Sequence, residues 1–84
     1  MRIATNGVEL GAWLRAEREA LGHTQSWMAT RVRTRRQTIA DLEAGRNVSV
    51  GVLFGVLTAL GKGIQIVDAR IDHDRLKEVF PDED

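Results

Sequence analysis

Cysteine is absent from this chain, so no disulfide can staple it and no thiolate zinc site can form. A long apolar stretch is missing as well. The longest apolar-rich run, Val48 to Leu60, is interrupted by Ser49, Gly51, Gly55 and Thr58 and is too short to span a bilayer. The opening Met1-Arg2-Ile3-Ala4-Thr5-Asn6-Gly7 has no apolar core of signal-peptide length. A soluble, cytoplasmic protein without membrane contact is therefore expected. There is no Gly-rich phosphate loop, no metal-ligand cluster and no nucleophile–base pair. His23 and His73 share no spacing, and Asp72, Asp74 and Glu78 read as a solvated tail. No metal, no cofactor and no enzyme activity are expected. With 84 residues there is room for one domain and one modest core. A chain of this size buries only about 60–65% of its unfolded surface, so dimerisation would add stability.

Net charge is also lacking, but the zero hides an asymmetry. Residues 1–63 carry nine Lys/Arg against five acids, a net +4, while residues 64–84 carry three against seven, a net −4. The body can attract polyanions and the tail repels them.

What is present is helical periodicity. Leu10, Trp13, Leu14 and Leu21 recur at helical spacing over 8–21, with Trp13 assigned to the core and Gly22 as a stop. A second helix starts at Thr24 as N-cap and turns Met28, Ala29 and Val32 inward. A third begins near Thr34, where Thr34 and Gln37 have capping-box spacing, carries Ile39, Ala40 and Leu42, and ends at Gly45. A fourth is capped by Ser49, buries Leu53, Val56, Leu57 and Leu60, and stops at Gly61. Within it Gly51 and Gly55 each cost about 1 kcal/mol relative to Ala and are read as permitting close helix contact. The pattern then changes: Gly63 to Asp68 alternates and is β-branched, which reads as one short strand. It has no partner in its own chain, so pairing with a second copy through Ile64, Ile66 and Val67 is the simplest solution. A fifth, short helix from Asp72 to Phe80 would follow, and then an acidic end.

Four arginines fall in the window Arg31-Val32-Arg33-Thr34-Arg35-Arg36-Gln37-Thr38-Ile39. Basic, amide and hydroxyl groups at the start of a helix are what reading DNA in a groove requires. Helices two and three, joined by a tight turn, form a helix-turn-helix. Here the chain resembles the lambda-repressor-like, or Xre/Cro, family. Leu14-Arg15-Ala16, Arg18, Gly22, Thr24-Gln25, Ala29, Arg36-Gln37-Thr38-Ile39, Leu42-Glu43 and Gly45 carry the resemblance over roughly residues 9–61.

The resemblance implies a role for each matching position. Arg35, Arg36 and Gln37 are the expected base readers, since Arg can fork onto guanine O6 and N7 and Gln onto adenine N6 and N7. Gln25, Ser26, Arg33, Thr38 and Arg46 are expected to contact the backbone or support the reading helix. Thr38 reaches either a phosphate or a thymine methyl; Asp41 either accepts from cytosine or repels the backbone. Arg18 and Glu43 match a pair that bridges helices one and three. Three positions depart from the pattern. Arg33 stands where Gly is usual, with a steric penalty if its φ is positive, so that the turn would be remodelled. Arg35 replaces the usual Ser, shifting capping to Thr34. Trp27 replaces a polar residue and either packs over a helix edge or anchors a protein partner.

The strand after four helices is similar to the HipB-type antitoxins, a resemblance that rests on one strand and its position. It implies a homodimeric repressor on an inverted-repeat operator in double-stranded DNA, with a HipA-type kinase-fold toxin as partner. The expected fold is mainly α: a four- to five-helix lambda-repressor-like domain over 8–61, with a C-terminal strand pairing across a dimer and an acidic tail in 62–84. The competing readings are a stand-alone regulator without a toxin and a protein-interaction module that neutralises a partner.

Overall fold

In the computed structural model, residues 2–69 are described. Within them the chain forms α1 (Gly7–Ala20), α2 (Gln25–Val32), α3 (Arg36–Glu43) and α4 (Val50–Leu60). Helix α3 packs on both α1 and α2, and α4 closes over α2 and α1.

The helix boundaries follow from local chemistry. Asn6 caps α1 by accepting from Glu9 N–H at 2.9 Å, Thr24 caps α2 from Trp27 N–H at 3.0 Å, and Ser49 caps α4 from Val52 N–H at 3.1 Å. Gly61 ends α4 in the left-handed region. The expected capping box at Thr34 does not form. Helix α3 begins one residue later, with Arg35 at the N-cap and no side-chain cap. The reason lies upstream. Arg33 takes φ 64° and ψ 49°, its N–H bonds back to the Thr30 carbonyl, and the Thr34 N–H bonds to the Ala29 carbonyl at 2.9 Å. This is a Schellman closure of α2, and it engages Thr34 before α3 can start. The turn is not remodelled: Arg33 itself adopts the positive φ that Gly usually supplies.

The core is one cluster of Leu14, Met28, Ala29, Ile39, Leu42, Val56, Leu57 and Leu60, with Met28 and Ile39 fully enclosed. Truncating either of these two to Ala would cost about 2–5 kcal/mol. Close approach of α1 and α3 depends on Gly11, where a Cβ would stand 2.4 Å from the Leu42 carbonyl oxygen. Gly55 has the same function against Val32, whereas Gly51 faces open space apart from the Ser49 hydroxyl. Only one of the two glycines read as contact sites is one.

Two expectations need correction, and a third, the strand after α4, is not seen in the single chain described. Leu21 is exposed, because the chain turns away at Gly22, which has φ 80°. Trp13 is half-buried and lies outside the core cluster; the Arg2 guanidinium sits over its ring at 4.3 Å. Residues 62–69 adopt neither helix nor strand. A strand exists only as a ladder of hydrogen bonds, and no segment of the described chain pairs with 63–68. The helix expected from Asp72 to Phe80 and the acidic end lie outside the described residues. No helix among the described residues is long and apolar enough to cross a membrane.

Candidate nucleic-acid interface

Helix α3 is held from its C-terminal end. Glu43 there is almost enclosed, and Arg18 of α1 grips it with both nitrogens of its fork, Nε at 2.7 Å and Nη2 at 3.0 Å. The remaining Nη1 of Arg18 donates to the His23 carbonyl. Gln25, first residue of α2, donates from Nε2 to Glu43 Oε1 at 3.0 Å. One carboxylate thus ties α1, α2 and the α1–α2 loop to α3. Burial pushes the Glu43 carboxyl up, but the hydrogen bonds from Arg18 and Gln25 and the charge of Arg18 outweigh it and hold the group below its ordinary value of 4.5. The bond to Glu43 likewise raises Arg18.

At the other end of α3 the arrangement is open. Arg35, Arg36 and Gln37 are exposed, and the first-turn N–H groups meet no side-chain cap. Arg15, Arg18 and Arg46 are engaged by carboxylates. By contrast, Arg33, Arg35 and Arg36 take part in no ion pair among the described residues. These unneutralised guanidiniums lie at the positive end of the α3 dipole, which makes the turn and first helical turn strongly attractive to anions.

Farther along the helix, Asp41 collects two neighbours. Gln37 Nε2 donates to Asp41 Oδ1 at 2.9 Å, and Arg46 Nη1 donates to the same oxygen at 3.2 Å. The Arg46 N–H also closes on the Asp41 carbonyl at 2.8 Å. This tie leaves the Gln37 amide oxygen and its second N–H uncommitted. Spacing of four and five residues is the signal in the sequence for this tie, which joins three residues whose expected roles are separate.

The other singled-out residues sit as follows. Ser26 is exposed near the start of α2, and Thr38 is half-buried on α3. Gln25 is half-buried and occupied by Glu43, so it braces α3 rather than projecting outward. Trp27 packs against the core edge with its ring stacked on His23 at 3.5 Å and Arg31 at 5.8 Å. Ile64 and Ile66 are exposed and Val67 half-buried. They line a groove of about 630 Å³ with Leu10, Trp13 and Ile3, well away from α3 in sequence. Ile66 is 95% exposed, an unusual state for an isoleucine beside an apolar groove.

Comparison with known proteins places this geometry. The helix-turn-helix domain family matches residues 9–69. No curated protein matches the chain. Among solved structures, HipB in a HipA-HipB-O2-O3 complex superposes with a TM-score of 0.76 at 21% identity, covering 83% of this chain and 100% of that one. HipB in a HipB-O4 20mer complex gives the same TM-score at 22% identity, with the same coverage. The restriction-modification controller protein C.AhdI from Aeromonas hydrophila gives 0.62 at 33% identity, covering 67% of this chain and 86% of that one. The chain belongs to the helix-turn-helix domain family, in its Xre-like form, and is a DNA-binding transcriptional regulator with the fold of HipB.

Proposed function

We propose that the protein is a dimeric repressor that reads an inverted-repeat operator through Arg35, Arg36 and Gln37 and serves as the antitoxin of a HipA-type toxin. The observation that carries the DNA-reading part is the contrast among the arginines: those of α1 and Arg46 are paired with carboxylates, and Arg33, Arg35 and Arg36 are not, among the described residues. Counterions, and in the complex phosphates and guanine edges, are the partners such groups take. Gln37, with one N–H held by Asp41, keeps an oxygen for adenine N6 and an N–H for adenine N7. Arg33, Ser26, Thr38 and Arg46 supply backbone contacts, and Gln25 acts through Glu43 as a brace.

Dimerisation is assigned to the segment after α4, residues 62–84, with Ile64, Ile66 and Val67 in the seam and 8–61 as the DNA-binding unit. The support is the exposed Ile66 beside an apolar groove, the period-two pattern of 63–68 and the likeness to HipB. The toxin partner rests on that likeness, HipB having been solved with HipA. Trp27 is the residue we assign to partner contact.

Selection of binding sites from a random duplex pool tests the reading. Two half-sites about one helical turn apart, roughly 34 Å, are expected; enrichment of an unrepeated site would sink the dimeric version. A second reading, a stand-alone regulator without a toxin, is favoured by the higher identity to C.AhdI. Co-expression with the neighbouring reading frame separates the two: an antitoxin captures a kinase-sized product and a stand-alone regulator captures nothing.

A further inference from the structure

A second groove lies where α2 and the turn after it meet α4, at the edge of the core. It is lined by Val32, Phe54 and Gly55, with the guanidiniums of Arg31 and Arg33 at its rim. Phe54 is half exposed and the neighbouring Val50 more so. An apolar floor with a cationic edge fits a segment in which apolar residues are followed at once by acids. The chain contains such a segment: Val79-Phe80-Pro81-Asp82-Glu83-Asp84, outside the described residues, has two large apolar side chains and then three acids in its last four positions.

We propose that this acidic segment docks in the Phe54 groove of its own chain, with Val79 and Phe80 on Phe54 and the acids against Arg31 and Arg33. Docking covers Arg33, a backbone contact in the proposed reading, and offsets the charge of the neighbouring Arg31, so the tail acts as an intrachain competitor of the phosphate backbone. Charge supports the assignment, because the body carries +4 and residues 64–84 carry −4. Length supports it too. The ten residues from 70 to 79 reach about 33 Å when extended, enough to cross the molecule along its 24 and 17 Å axes though not along its full 46 Å length. The competition rests on the proposed DNA reading, whereas the docking does not.

The absence of cysteine makes the test clean. In the full chain, Thr58→Cys on the exposed side of α4 is combined with Val79→Cys, and the rate of intrachain disulfide formation is followed under mild oxidation. Ala12→Cys with Val79→Cys is the control; residue 12 lies on α1, whose Leu10 and Trp13 line the groove reached by Ala69, so an undocked tail would find it at least as easily. The expected result is about tenfold faster closure at Thr58 than at Ala12, slowed towards the control by adding Phe54→Ser or by high salt. Equal rates at the two sites, or cross-linking mainly between copies, would overturn the docking. In parallel, the chain with Asp82→Asn, Glu83→Gln and Asp84→Asn is titrated with random duplex. It is expected to bind about tenfold tighter at low salt, the gain fading as salt rises. Unchanged affinity with fast closure at Thr58 would overturn the competition. Loss of duplex binding by both proteins would count against the arginine reading instead, and the disulfide rates would still decide the docking.

Discussion

At its C-terminal end α3 carries a carboxylate that is nearly enclosed and satisfied by three donors from α1 and α2; at its N-terminal end it carries guanidiniums that meet no carboxylate among the described residues. The same helix is therefore clamped at one end and left incomplete at the other. Under the proposed reading, the difference marks where folding ends and recognition begins. An enclosed ion pair has already given up its water and gains by being rigid. An exposed, unpaired arginine keeps its full charge for a partner. Rigidity at Glu43 serves the open end, because a reading helix positions its side chains only as well as it is itself positioned.

The largest effect should come from breaking the clamp. Glu43→Ala leaves Arg18 enclosed without its partner and should lose about 3–5 kcal/mol of stability in denaturant unfolding. The same group sets an acid limit. Because folding lowers the Glu43 value below 4.5, its contribution is complete above that value and is lost as pH falls through the lower, folded value. Melting of the native chain should thus drop at acid pH, and the Glu43→Ala chain should lack that part of the drop. Next in size is Gly11→Ala, whose Cβ would meet the Leu42 carbonyl carbon-to-oxygen at 2.4 Å; separating α1 from α3 should cost about 2–3 kcal/mol in the same assay. Changes at the cations outside the clamp should move binding and spare folding. Arg46→Ala should weaken all duplex sequences alike and lower the salt dependence by about one phosphate. Its tie to Asp41 is exposed and should contribute less than about 1 kcal/mol to stability. The smallest expected change is Arg33→Gly. Relief of the left-handed backbone should stabilise the fold by about 1 kcal/mol, while removal of the cation weakens DNA binding. A stabilised variant with unchanged DNA affinity would assign Arg33 to the turn alone.

Helix ends were more legible in the sequence than the packing between helices. Caps at Thr24 and Ser49 and the stop at Gly61 are written in residues that act on their own backbone, so spacing sufficed. The Arg18–Glu43 bridge came from the family resemblance, and the structure adds Gln25 and the His23 carbonyl to it. Gly11 went unnoticed because a glycine inside a helix signals a close contact only when the facing backbone is known. Trp13 was misplaced for a geometric reason: it stands about 100° round the helix from Leu14, at the margin of the buried stripe, and its ring lies under Arg2 instead. At Thr34 two local motifs compete for one residue, and the closure of α2 takes precedence over the capping box of α3. The segment 63–68 carries a strand pattern but pairs with no segment among the described residues, and alternation in a sequence does not by itself supply the hydrogen-bonded ladder that makes a strand.

The central claim, that the unpaired start of α3 reads bases, is tested most directly by the ratio of affinities for the selected operator and for random duplex, measured at one salt concentration in the native chain and in Arg36→Ala. The account predicts that Arg36→Ala loses about 1–3 kcal/mol on the operator, relaxes preference at one base pair per half-site and changes little on random duplex. Equal losses on both duplexes would contradict it and reduce Arg36 to a phosphate contact.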